Sequence, residues 1–129
     1  MSQTADARSV VLSMKIGAEV HAGHIVKLSA ANTVVECEAE TAAVMAIGVC
    51  LDNEATVGNP VRVVVLGPAK IWCDGGTPIV AGYAIGADAS GHGVYIDTDK
   101  YHITGRALEP LASGTGWVSC IVNPQHMSK

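Results

Sequence analysis

The sequence predicts an all-β (mainly β) protein, a compact β-barrel or β-sandwich built from two similar halves, with an extended N-terminal arm. Three observations carry that prediction. Apolar residues make up 49% of the 129, yet Phe is absent and there are only two Trp and three Tyr. Ala, Val and Ile therefore supply the apolar mass, and β-branched side chains pack best on a pleated surface. Fourteen Gly and five Pro supply turns at short intervals. The third observation is a pattern that occurs twice.

The stretch ITGRALEPLASGTGWVSCIVN, residues 103–123, runs in step with IGVCLDNEATVGNPVRVVVLG, residues 47–67, at an offset of 57. Gly48 aligns with Gly105, Leu51 with Leu108, Asp52 with Glu109 and Ala55 with Ala112. Val61, Val63, Val64 and Val65 align with Val118, Cys120, Ile121 and Val122. Ahead of each copy lies a second shared element, VHAGHIV (20–26) and IVAGYAI (79–85), in which Ala22-Gly23 matches Ala81-Gly82. Abundant Gly, Ala and Val produce chance matches, but the shared order of two elements favours duplication. Two units are too few for a solenoid, so the halves are expected to close on each other. The organisation expected is an arm over 1–9, a single β-domain over 10–124 with repeats near 20–66 and 79–122, and a short polar tail over 125–129.

A loop that appears in duplicate reads as scaffold rather than active site. Leu51 and Leu108 are then expected in the core, and Asp52 and Glu109 to cap a turn or face a neighbouring chain. Arg106 has Val49 in the matching place, so it is either a solvated strand residue or an ion-pair partner across a subunit contact.

The strands follow in order. Val10 to Ile16 alternates; Glu19 to Leu28 holds a turn and a second strand; Val34 to Glu38 and Ala43 to Leu51 come next, the latter apolar on both faces and so interior. After the turn at 54–60, Val61 to Leu66 and Ala69 to Cys73 read as two strands. DGGTP (74–78) turns the chain into Ile79 to Ile85, and ADASGHG (87–93) turns it into Val94 to Asp97. Tyr101 to Leu108 and Gly116 to Asn123 complete the set. The one place for a short helical turn is Glu36 to Ala46. Strands at this spacing argue for a closed or nearly closed β-structure.

Composition excludes several functions. The formal net charge is -4 and the eight basic residues are scattered, which leaves no electrostatic footprint for nucleic acid. No apolar stretch approaches the length a membrane helix needs, and MSQTADARSVV carries no signal-peptide pattern. Cys37, Cys50, Cys73 and Cys120 are widely spaced among apolar residues and are expected as buried free thiols in a reducing cytoplasm.

Candidate chemistry is sparse. His21 and His24 stand three apart in HAGH, near Glu19, with His92 and His102 downstream, a donor set of the kind that binds a transition metal. On an extended strand that spacing sends two side chains to opposite faces, and only the turn at Ala22-Gly23 would join them. They are expected as solvated turn histidines, with no metal and no cofactor. There is no G-x-S-x-G elbow and no cysteine in an activating setting. SGTG and DGG precede no helix and read as turns, and Asp88, Asp97 and Asp99 fit no EF-hand loop. The chain is not expected to be an enzyme.

The Ala22-Gly23 and Ala81-Gly82 strand starts, the G-x-x-L-[DE] element and the GRALE ending followed by the apolar strand to Val122 resemble the head decoration (capsid cement or stabilisation) proteins of tailed bacteriophages. The resemblance covers about Val20 to Asn123. It implies a virion protein on the outer capsid surface, made in the bacterial host cytoplasm, that forms homotrimers and clamps adjacent major capsid proteins on the expanded head. It brings no catalytic residues. An arm that extends a sheet of the capsid protein would be Ser2, Gln3, Thr4, Ala5, Asp6, Ala7, Arg8, Ser9 and Val10, using main-chain hydrogen bonds along a strand edge. Trp72 and Trp117, in a chain so poor in aromatics, and Arg106 are the candidates for subunit or capsid contacts; the alternative is that the two Trp close the ends of the barrel core. Two other readings remain: a small cupin-like metal enzyme using His21, His24, His92 or His102, and a non-catalytic β-module of a phage tail or baseplate.

Overall fold

In the computed structural model, which describes residues 8–38, 45–96 and 102–126, all regular structure is strand. The elements are β1 (Val10–Ile16), β2 (Ile25–Ala30), β3 (Thr33–Glu36), β4 (Gly48–Cys50), β5 (Pro60–Asp74), β6 (Ala84–Ala87), β7 (Gly93–Tyr95), β8 (His102–Ala107) and β9 (Thr115–His126). Neighbours run β1-β3-β2-β4-β5-β7-β6-β8-β9, and β5 also pairs with β1 and with β9. Those two extra pairings close two rings of five strands, as in a small barrel. The 15-residue β5 belongs to both. Its first part, Pro60 to Leu66, pairs with β1, and its second, Gly67 to Asp74, pairs with β9.

The rings carry the same ladder. Lys15 lies opposite Pro60 in the first and Trp72 opposite Trp117 in the second. Ile16 beside Val34 corresponds to Cys73 beside Gly93, both parallel. Val26 opposite Glu36 corresponds to Ile85 opposite Tyr95, and Val49 opposite Val64 to Arg106 opposite Ile121. The bridge between Val20 and Glu54 has its counterpart between Ile79 and Leu111. β1, which has no visible sequence match, thus corresponds to the second half of β5.

Alternation along the strands fills each ring. The first is packed by Ile16, Val20, Val26, Val34, Cys50, Val61 and Val63. A larger cluster fills the second ring with Cys73, Ile79, Ile85, Ala107, Val118 and Cys120, and also buries one outer face of the first ring, including Ile25, Val49, Leu51 and Val64. The seam between the rings is therefore core. Removing that outer face from water stabilises the pair by about 25 cal/mol for each Å² of apolar surface buried. All four cysteines are buried thiols outside any disulfide, and burial pushes the Cys50 thiol up to about 11.

Among the described residues, no further ring covers the matching face of the second ring. Leu51 is 0% exposed, whereas Leu108 is 53% exposed. The expectation that Leu108 is core is corrected here: the same residue in the same local structure lacks a covering partner. Other strand assignments change too. β5 is continuous, because both of its parts find antiparallel partners across the Gly67-Pro68 position that reads as a break. Ile79 makes only an isolated bridge, and the strand expected over 79–85 starts at Ala84. Among the described residues of the expected Ala43 to Leu51 strand, only Gly48–Cys50 forms, while β9 runs on past Asn123 to His126. Glu36 of the expected helical turn is in β3, and residues 39–44 lie outside the described residues, as do 97–101 and 127–129.

Asp52 and Glu109 do cap turns. Asp52 Oδ2 accepts the Arg62 backbone N–H at 2.9 Å, and Glu109 Oε1 accepts that of Ser119 at 2.8 Å. Asp52 also takes Nη2 of Arg62 at 2.7 Å and Nε at 3.1 Å. These Arg62 hydrogen bonds hold the Asp52 carboxyl below its ordinary value of 3.8. A carboxyl lowered in the folded state adds stability that is fully present above its unfolded pKa and is lost as pH falls through the folded value. Asp52→Asn is expected to lower the melting temperature at neutral pH by an amount worth up to about 1 kcal/mol, since Arg62 is well exposed. In an acid titration the gap to the parent should close below about pH 4; a gap that persists there would assign the effect to geometry rather than charge.

Candidate functional site at the ring seam

The HAGH segment forms a tight turn ahead of β2. The His24 N–H donates to His21 O at 3.1 Å, and Gly23 takes φ +84°, as the third residue of a type II turn requires. A turn brings its first and fourth residues to one side, where an extended strand would not. The imidazole centroids of His21 and His24 are accordingly 5.0 Å apart: they are turn histidines joined at Ala22-Gly23, but His24 is not solvated as expected, because the turn folds it into the seam.

Glu36, at the end of β3, completes the cluster. Its Oε2 accepts the His21 N–H at 2.9 Å and lies 2.8 Å from His21 Nδ1. His24 Nδ1 is also 2.8 Å from that oxygen, but it is buried and makes no aligned hydrogen bond. Burial works to raise the Glu36 carboxyl, and the imidazoles of His24 and His21 overcome it, leaving the group below its ordinary value. One donor atom from each of His21, His24 and Glu36 fits within 4.8 Å of the others. His24 is largely buried, with 14% of its side chain exposed against 48% for His21. Glu19 stands 3.8 Å from His21 Nε2.

The second ring closes over this cluster. Its Gly91 O accepts the Ile25 N–H at 2.8 Å, and His92 meets His24 edge-on at 4.8 Å between centroids. His92 Nδ1 is 3.5 Å from Asp88 Oδ2. His102 lies apart from the cluster, on β8. Sequence reading grouped His21, His24 and Glu19 but missed Glu36. The β2–β3 hairpin carried the signal, because its antiparallel register returns residue 36 to the start of β2.

The second ring has the same turn with other side chains. The Tyr83 N–H donates to Val80 O at 3.0 Å, and Tyr83 stacks on Tyr95 at 4.3 Å with 26° between the rings. Val80, Tyr83 and Tyr95 are the counterparts of His21, His24 and Glu36. Each ring thus ties its turn to its neighbouring strand, the second with an aromatic stack and the first with ionisable groups.

Trp72 and Trp117 sit side by side at the same seam. They are a cross-strand pair, 5.3 Å apart at 76°. A Cβ on Gly23 would fall 2.2 Å from the Trp117 ring, and the Trp72 N–H donates to Gly23 O at 2.9 Å. Neither belongs to the buried core cluster of a ring. The Trp117 ring and the Trp72 backbone thus meet the HAGH turn, and 37% of Trp117 remains exposed. Arg106 is exposed, with Nη1 donating to Gly82 O at 3.2 Å.

Two surface grooves lie away from the seam cluster. One, of about 610 Å³, is lined by Gly82, Arg106, Leu108, Ile121, Asn123 and Gln125 among others. The other, of about 400 Å³, is lined by Leu12, Met14, Leu28, Met45, Ile47 and Val65, with Ala46 and Pro124. Among the described residues, the edge of β1 away from β5, beside the second groove, is paired only at Lys15 and Ile16. Of the expected arm, Val10 is in β1 opposite Leu66, and Ser9 Oγ donates to Pro68 O at 2.6 Å. Ser9 and Val10 are therefore bound to β5 of their own chain. Arg8 precedes them in a turn, and Ser2 to Ala7 lie outside the described residues.

No protein-family model matches the chain, and no curated protein matches it. Among solved structures, the chain is similar to the N base of the head fiber gp8.5 of bacteriophage phi29, with a TM-score of 0.68 and 16% identity. The match covers 88% of this chain and 93% of that one. At that identity the likeness is one of fold: the all-β architecture of this chain is shared, nearly end to end, with the base of a phage head fiber.

Proposed function

We propose that the protein is a structural component of a phage head, bound to the outer capsid surface as a homotrimer that clamps adjacent major capsid proteins. The observation that carries this reading is the fold shared with the head fiber base over 88% of the chain. Its role is mechanical, without catalysis, and it is made in the bacterial host cytoplasm, where buried thiols such as Cys73 and Cys120 stay reduced.

Other features support it. The face of the second ring around Leu108 and Ile121 is apolar and uncovered, while its counterpart in the first ring is buried, and a second copy of the chain is a natural cover. Arg106 at the rim of that face is the residue to pair across the contact. The open edge of β1 beside the Leu12–Leu28 groove suits an added strand, the mode in which residues 2–8 of the arm would engage the shell or a neighbouring subunit.

Light scattering of the purified protein, with and without undecorated expanded capsids, tests the reading. The expected result is a mass three times the 13.2 kDa chain and co-sedimentation with the shells. Deleting residues 2–7 is expected to weaken shell binding without lowering the melting temperature, since Arg8 is kept and Ser9 and Val10 remain paired. A monomer that ignores capsids overturns the proposal, and binding to tails instead of heads moves the protein to the tail or baseplate.

A further inference from the structure

We infer that His21, His24 and Glu36 form a site for a divalent transition-metal ion of the zinc class, which ties the 21–24 turn to β3 beneath the second ring. The inference stands apart from the capsid reading, because it rests on this cluster alone. Two imidazole nitrogens and one carboxylate oxygen converge within 4.8 Å. This donor set selects zinc, cobalt, nickel or copper over calcium and magnesium, which prefer all-oxygen shells.

The spacing suits an ion. Bonds of about 2.1 Å in a tetrahedral shell place neighbouring donors about 3.4 Å apart. His21 Nδ1 and His24 Nδ1 each lie 2.8 Å from Glu36 Oε2, so a small outward movement of the side chains admits the ion. His24 supplies the second argument. Its Nδ1 is buried and faces Glu36 Oε2 at 2.8 Å without hydrogen-bond alignment, so this nitrogen points into the cluster, where coordination would engage it directly. The exposed side of His21 leaves room for water to complete the shell.

The counterpart in the second ring indicates what the ion does. There the Tyr83–Tyr95 stack holds the equivalent turn on the equivalent strand. The first ring replaces that stack with three donors at the same positions, so the ion acts as a fastener for the turn. Gly23 within that turn carries the Trp117 contact, and tightening the turn tightens the seam.

The test uses the full chain, dialysed against EDTA and titrated with Zn²⁺ by calorimetry. One ion per chain is expected, with a higher melting temperature on loading. His24→Ala and Glu36→Gln are each expected to weaken binding by about 100-fold or more, beyond the range for outer-shell partners, while His92→Ala stays near the parent. Glu36→Gln keeps the side-chain shape, so its circular dichroism should match that of the parent and separates ligand loss from misfolding. Nitrogen NMR should show the Nδ1 resonances of His21 and His24, and no other histidine, shifting on Zn²⁺ addition. Undiminished binding in His24→Ala, or a folded parent whose His21 and His24 resonances ignore Zn²⁺, overturns the inference.

Discussion

Gly105→Ala is expected to prevent stable folding, and Gly48→Ala to do the same. A Cβ on Gly105 would stand 2.0 Å from Ile121 O, and one on Gly48 2.0 Å from Val64 O. Both obstacles are backbone atoms of a paired strand, so no side chain can turn aside. Restoring van der Waals distance requires β8 to part from β9, or β4 from β5, by more than about 1 Å, which breaks the hydrogen bonds that close each ring. The cost is about 4 kcal/mol or more, a large share of the 5–15 kcal/mol that holds a domain together. Gly114→Ala is the control. It has φ +67° but nothing within 4 Å, so strain alone sets its cost at about 1 kcal/mol. Urea unfolding of the three variants ranks them; a Gly105→Ala chain that melts within a few degrees of Gly114→Ala would show that β8 and β9 do not pack this closely.

The matched glycines also show what the sequence made legible. Gly48 and Gly105 could be aligned because only glycine fits where the two strands meet, and the same constraint acted in both halves. Ala22-Gly23 and Ala81-Gly82 were legible for a similar reason, since each forms the middle of the turn before a strand. The match between β1 and the second half of β5 was hidden. VVLSMKI and GPAKIWC share a ladder position but no side-chain pattern, because Lys15–Pro60 faces outward while Trp72–Trp117 supports the seam. Turn chemistry at Gly67-Pro68 further argued for a break that two antiparallel partners override.

The candidate site was half legible. His21 and His24 were visible, but period-two alternation separates them, and only a turn whose type depends on Gly23 unites them. Glu36 needed the hairpin register, a pairing between strands rather than a spacing along one. Trp72 and Trp117 stood out by rarity, yet rarity does not say whether an aromatic faces a partner or its own chain. Their placement under Gly23 comes from the closure of one ring on another, which no local pattern encodes.

The strongest contrast between the halves lies in a residue they share. Leu51→Asp is expected to unfold the chain, because Leu51 is 0% exposed in the seam, and an unpaired carboxylate there costs about 4 kcal/mol or more. Leu108→Asp, the same substitution at the equivalent position, meets solvent at a side chain 53% exposed. Within a single chain it should change stability by no more than about 0.5 kcal/mol. In the proposed trimer the outcome differs, because a charge placed at the centre of an apolar contact is desolvated without a partner. Leu108→Asp should then keep the parental circular dichroism while its mass by light scattering falls from three chains to one. If Leu108→Asp remains trimeric, the subunit contact lies elsewhere, and the groove of Leu12, Met14 and Leu28 beside the open edge of β1 becomes the face through which copies meet.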